Sequence, residues 1–251
     1  MLPNIQSCLL PRRTATRFGS VEIAHAWKPL DEIGGDFLYY EKMSDRFLSL
    51  EIGDVTGHGV RAGLVMTALH GLIFGLRQSS EPVDRILDNA NSFLCRLQKL
   101  ETMHEPQGLA RMLMATMFLL RIDFEARVVT YCNGGHPAAL YAAKGAEGQV
   151  LSLRTGGPIL GAIPTATYRA TRLRPAAGDT VLLFTDGLSE AADEAGEEFS
   201  VGRLQHLLLE LAPLRPQEIV DRVTEVVSEF RGSAETGDDV AVAVLKFGDN
   251  W

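Results

Sequence analysis

The sequence predicts an α+β protein in which mainly antiparallel sheets are covered by helix pairs. Three observations carry this. Strand-like segments outnumber helical ones and often follow one another directly, which a regular βαβ fold does not do. Helical periodicity is confined to about residues 60–103 and 202–230, and each stretch holds two helices. The last apolar segment, residues 240–247, is a strand that follows the second pair.

Residues 1–19, with Pro3, Pro11, Arg12, Arg13 and Arg17, read as a leader or linker, and residues 20–251 as the domain. Residues 21–27 alternate as a half-buried strand does. Residues 29–35 are a loop, and 36–40 with 46–52 form a hairpin through 42–45. A helix from about Val60 to Gln78 carries Leu64, Val65, Ala68, Leu69, Leu72, Ile73 and Leu76 as its apolar face. Pro82 suits the first turn of a second helix, with Val83, Ile86, Leu87, Ala90, Phe93, Leu94 and Leu97 on one side. Residues 112–122 are a continuous apolar run and read as a buried strand. Strands at 127–131 and 138–142 flank Asn133-Gly134-Gly135-His136-Pro137, and others follow at 150–153, 168–173 and 180–185. Residues 202–211 and 216–230 are the second helix pair.

The totals narrow the function. A chain of 251 residues, 46% hydrophobic and 22% charged, has the composition of a globular protein with a substantial core. A net charge of −8 argues against non-specific nucleic-acid binding. Three cysteines, Cys8, Cys95 and Cys132, make an odd number with no CxxC spacing, so neither a zinc site nor a disulfide framework is expected. No uninterrupted apolar run reaches about 18 residues, and the first 20 residues lack a signal-peptide core. The expectation is a cytoplasmic protein with no membrane span.

Four acidic sites share one pattern. Gly34-Gly35-Asp36 opens a strand, Gly53-Asp54 closes one, Thr185-Asp186-Gly187 closes another, and Gly237-Asp238-Asp239 opens the last. Each acid stands beside glycine where an apolar strand meets a loop. Any one of them alone reads as a turn residue. Four together read as oxygen ligands for a hard divalent cation, because clustered anions are costly without one. His58 and His136 lack the spacing of a zinc motif. His58 reads as a packing or hydrogen-bonding group near the acids, and His136 as a structural turn residue with its ring bonded to backbone. Residues 53–59 are glycine-rich but lack the Lys-Ser/Thr ending of a P-loop, and no Gly-x-Ser-x-Gly elbow is present.

The ordered motifs Gly34-Gly35-Asp36-Phe37, Gly53-Asp54-Val55-Thr56-Gly57-His58-Gly59, Asn133-Gly134-Gly135-His136-Pro137, Phe184-Thr185-Asp186-Gly187 and Gly237-Asp238-Asp239-Val240 resemble the SpoIIE/RsbU branch of the metal-dependent PPM serine/threonine phosphatases. The likeness covers about residues 20–247. It implies a four-layer αββα sandwich of two mainly antiparallel sheets, and two Mn²⁺ or Mg²⁺ ions. By motif, Asp54 would bridge both ions, with the Val55 carbonyl on one of them. Asp186 and Asp238 would hold the other. Asp36 would serve the Val55-side ion directly or through water, and Asp239 would stand behind the ligands. Asp54, Asp186 and Asp238 are thus the candidate catalytic residues.

The resemblance further implies attack on phosphoserine or phosphothreonine by metal-activated water, with no covalent phosphoenzyme. Its usual substrate is a small phosphorylated regulatory protein, the anti-sigma-factor antagonist of a partner-switching pathway. Many members of the superfamily place a phosphate-binding Arg shortly before the first acidic motif, and only Lys28 stands in that region. The segment Ile5-Gln6-Ser7-Cys8-Leu9-Leu10-Pro11 resembles the join to an upstream sensor module. No sensor module is read in the sequence, so activation is expected from another protein, from homodimerisation, or not at all. Two alternatives remain beside the phosphatase: a catalytically weak regulatory binding protein of the same fold, and a small-molecule phosphoesterase.

Overall fold

The computed structural model describes residues 14–30, 34–57, 59–104, 112–145, 148–234 and 237–251. His58 and the segment 5–11 lie outside the described residues. The chain is α+β, with two mainly antiparallel sheets, and divides into two compact units that each carry one sheet and one pair of long helices.

The first unit comprises residues 1–32, 137–153 and 174–251. Its strands are β1 (Ala15–Phe18), β2 (Val21–Lys28), β7 (Ala139–Ala142), β8 (Val150–Leu153), β11 (Thr180–Phe184) and β12 (Val240–Phe247), in the order β1-β2-β12-β11-β7-β8. Every pairing is antiparallel. β1 corrects the reading of residues 1–19 as a leader, because Ala15–Phe18 pairs with β2 and belongs to the sheet. Four residues are too few for apolar periodicity to mark a strand, and here the partner strand supplies the hydrogen bonds.

A short helix α3 (Asp186–Ser189) and the longer α4 (Val201–Leu211) and α5 (Pro216–Arg231) complete this unit. Leu204, Leu208, Ile219, Val220 and Val223 of the two longer helices pack on Ala24, Leu182, Phe184, Val242 and Val244 of the sheet. The alternate residues Ile23, Leu183, Ala243 and Leu245 are equally buried on the other face, as near-continuous apolar strands require.

The second unit comprises residues 33–136 and 154–173. Here β3 (Phe37–Lys42), β4 (Phe47–Val55), β5 (Ala115–Asp123), β6 (Val128–Gly134) and β10 (Thr171–Leu173) run in the order β10-β6-β5-β4-β3. The two-residue β9 (Gly156–Gly157) pairs parallel with β6. Helices α1 (Gly59–Gln78) and α2 (Val83–His104) pack on this sheet, α1 mainly on β4 and α2 mainly on β6.

The inward face of α1 differs from the apolar stripe expected of it. The buried residues are Ala62, Gly63, Val65, Met66, Leu69, His70, Ile73 and Arg77. Leu64 is 67% exposed, and Val60 and Phe74 also face outward. The reason lies on β4. Glu51 is fully buried there, so the helix must turn hydrogen-bonding and charged partners toward it. His70 Nδ1 lies 3.0 Å from Glu51 Oε1, and Arg77 Nη1 3.5 Å from Oε2. The Arg77 guanidinium also stacks on Tyr39, 4.7 Å from the ring centroid. A buried charge without such partners would cost more than an exposed leucine. By length and composition α1 could cross a membrane, but its inner face is committed to this ion cluster.

Candidate metal centre

In the second unit the acidic residues stand where β3 and β4 pair. The register sets Phe37 opposite Gly53, and the next step brings Asp36 opposite Asp54. Asp36 is buried and Asp54 half-buried. The Val55 N–H donates to the Gly35 carbonyl at 3.3 Å, tying the two segments together. Gly35 has to be glycine for steric reasons. A Cβ there would lie 2.5 Å from the Val55 carbonyl oxygen and 2.6 Å from Asp54 Oδ1. The bare glycine therefore leaves room for a carboxylate oxygen and a main-chain oxygen to border one small space, and two hard oxygens suit Mg²⁺ or Mn²⁺.

The first unit repeats the device. Thr185 closes β11, donates its N–H to the Ala241 carbonyl at 3.0 Å, and accepts the Ala241 N–H on Oγ1 at 2.9 Å. This fixes Asp186, the first residue of α3, beside the start of β12. A Cβ on Gly187 would overlap the Asp239 carbonyl and lie 3.3 Å from Asp238 Cβ. Asp239 is buried, and its Oδ1 accepts the Leu30 N–H at 2.6 Å. That bond suits a residue that braces the loop.

The electrostatics agree. Burial, then the negative charges of Asp186, Glu198 and Asp238, raise the Glu190 carboxyl above its usual range. A cavity of about 220 Å³ beside Asp238 is lined by Gly187, Glu190, Ala191, Ala192, Arg231 and Gly237.

The structure thus brings Asp36, Asp54 and the Val55 carbonyl together in one unit, and Asp186, Asp238 and Asp239 in the other. Among the described residues no three carboxylate, imidazole or thiol groups surround a single point. Reading the sequence missed Thr116. Its Oγ1 accepts the Asp54 N–H at 3.3 Å and lies 2.8 Å from His136 Nδ1. The His136 ring is therefore bonded to a side chain next to Asp54, which corrects the expectation of a backbone partner.

Two sheets with helix pairs, and glycine-flanked aspartates at their strand ends, define a PPM-type serine/threonine phosphatase domain. The family model for Stage II sporulation protein E (SpoIIE) matches residues 44–248, and the chain belongs to that family. It is 24% identical over 248 residues to the phosphoserine phosphatase RsbU of Bacillus subtilis, covering 97% of this chain and 68% of that protein. It is also 24% identical over 242 residues to the protein IcfG of Synechocystis, covering 90% of this chain but only 38% of IcfG. Among solved structures, the SiaA-PP2C domain of Pseudomonas aeruginosa superposes with a TM-score of 0.77 at 25% identity, over 97% of this chain and 93% of that one.

Proposed function

We propose that this chain hydrolyses phosphoserine or phosphothreonine on a small regulatory protein of the anti-sigma-factor-antagonist type. In this reading Asp36, Asp54 and the Val55 carbonyl are divalent-cation ligands in one unit, Asp186 and Asp238 are divalent-cation ligands in the other, and Asp239 keeps Asp238 in place. The observation that carries it is that Asp54 Oδ1 and the Val55 carbonyl oxygen both border the space a Gly35 side chain would fill. Mn²⁺ or Mg²⁺, two ions by the family pattern, would supply an activated water and neutralise phosphoryl oxygens.

The protein's own residues orient and screen. Asp54 and Val55 present their oxygens from the rigid end of β4. Thr185 holds Asp186 to the start of β12. The acidic loop 189–200 is ordered by Asp193, whose Oδ1 accepts the N–H groups of Ala195 and Glu197 at 2.9 Å each. We assign this loop to recognition of the protein substrate.

The test is a Mn²⁺ titration of wild type and Asp54→Asn, assayed on a phosphoserine peptide, a phosphorylated antagonist protein and p-nitrophenyl phosphate. Hydrolysis should require the metal and disappear in the variant, while circular dichroism stays unchanged. The protein substrate should be preferred to the chromogenic ester. Metal-stimulated turnover by Asp54→Asn near the wild-type rate would overturn the assignment, and equal turnover of all three substrates would favour the small-molecule phosphoesterase.

A further inference from the structure

The segment Asn133-Gly134-Gly135-His136 takes no part in the ligand set above, yet its geometry points at it. β4 and β5 set Asp54 directly opposite Thr116. There the Asp54 N–H meets the Thr116 hydroxyl, at 3.3 Å. On its other side that hydroxyl meets His136 Nδ1, at 2.8 Å. A hydroxyl has one proton and two lone pairs. It can therefore accept from the Asp54 N–H and also bond Nδ1, as donor to one imidazole tautomer or acceptor from the other.

The ring is also locked in place. His136 is 6% exposed. Its N–H donates to Asn133 Oδ1 at 2.7 Å, and Asn133 Nδ2 donates back to the His136 carbonyl at 2.9 Å. The turn seats against Ile159, whose backbone nitrogen would lie 2.6 Å from a Cβ on Gly135. Asn133 thus holds His136, His136 aims the Thr116 hydroxyl, and the hydroxyl holds the peptide that carries Asp54.

We propose that Thr116 and His136 are positioning residues for Asp54: they fix the backbone from which its carboxylate reaches the metal. The proposal rests on Asp54 being a metal ligand. Groups that orient a ligand, without touching the ion, change metal affinity when removed. A ring buried only for packing would not do so.

The experiment measures Mn²⁺ binding by calorimetry and melting temperature without metal, for wild type, Thr116→Val, Thr116→Ser, His136→Leu, His136→Asn and Asp54→Asn. Valine matches the shape of threonine but lacks the hydroxyl, and serine restores it. Asparagine can place an amide oxygen or nitrogen where Nδ1 stands, and leucine cannot. Thr116→Val and His136→Leu should weaken Mn²⁺ binding at least about tenfold, while Thr116→Ser and His136→Asn retain it. In turnover, kcat should fall with KM for the phosphopeptide unchanged. Wild-type Mn²⁺ affinity in Thr116→Val, beside lost binding in Asp54→Asn, would overturn the positioning role alone. Equal weakening in Thr116→Val and Thr116→Ser, with lowered melting temperatures, would also overturn it, since that is the mark of packing. Wild-type affinity in Asp54→Asn would remove the ligand assignment and this inference with it.

Discussion

Gly35→Ala is the sharpest perturbation the structure offers, because one methyl group meets two proposed ligand oxygens at once. The added Cβ would stand 2.5 Å from the Val55 carbonyl oxygen and 2.6 Å from Asp54 Oδ1. A comfortable carbon–oxygen contact is about 3.3 Å. Each oxygen must therefore retreat by about 0.7–0.8 Å, or the chain at Gly35 must move away by as much. The Val55 carbonyl has little room to move. Its peptide is anchored by the Thr56 N–H, which donates to the Met114 carbonyl at 2.9 Å, and by β4–β5 pairing, in which Val55 faces Ala115. Overpacking of this kind costs about 1–3 kcal/mol of stability, which a stable domain survives. The effect on chemistry is larger, since a misplacement near 1 Å costs on the order of 100-fold in rate. We expect Gly35→Ala to fold, to bind Mn²⁺ more weakly, and to lose roughly two orders of magnitude in kcat. Calorimetric Mn²⁺ titration and phosphopeptide turnover at saturating metal would measure both. Gly75→Ala is the control. No atom lies within 4 Å of its added Cβ, and an alanine inside α1 should stabilise by about 0.5–1 kcal/mol with activity unchanged. Wild-type metal affinity and kcat in Gly35→Ala would refute the reasoning.

Two further expectations concern the fold itself. Glu51→Gln should leave Arg77 without its counter-charge; among the described residues the guanidinium nitrogens make no hydrogen bond, so Glu51 and the Tyr39 ring are its main compensation. Breaking a buried pair costs about 3–5 kcal/mol, a fall in melting temperature of roughly 6–20 °C for a chain of this size; a melt within a degree or two of wild type would show that α1 is held by other means. Burial of His25 in β2 lowers its pKa from the ordinary 6.5. The unfolded chain therefore takes up the proton first as pH falls, so stability is full above about pH 6.5 and is lost as pH drops from there toward the folded value. Urea unfolding at about pH 8 and about pH 5 should show a smaller loss in His25→Gln than in wild type, and identical losses would contradict the assignment.

Much of this was legible in the sequence, because the signals were local. The hairpin β3–β4, the apolar run that became β5, and both helix pairs follow from periodicity within about ten residues. The acid-and-glycine grammar of Asp36, Asp54, Asp186 and Asp238 is local too. What escaped depends on partners far along the chain. Thr116 looks like any strand threonine until β5 pairs with β4 and brings its hydroxyl to the Asp54 amide, 62 residues away. His136 was seen in its turn, but its ring partner is likewise supplied by β5. The orientation of α1 was misread for a related reason. Apolar periodicity counts His70 and Arg77 as outward-facing, and only the buried Glu51 reverses that.

β4 explains why these features gather in one place. Along nine residues it carries Glu51, which holds α1, and then Asp54 and Val55, which present the oxygens proposed for metal. Only residues 56–58 separate the end of the strand from the first turn of α1. A helix seated by apolar contact alone can slide at small cost, since such contacts are non-directional. A buried carboxylate shared by an imidazole and a guanidinium fixes both rotation and depth, because the alternative is an unpaired charge. The polar interior of α1 therefore restrains the turn that follows Asp54, while Thr116 and Gly35 restrain the peptides on either side of it. The exposed Val60, Leu64 and Phe74 are the physical consequence: a helix rotated to satisfy Glu51 cannot also bury them.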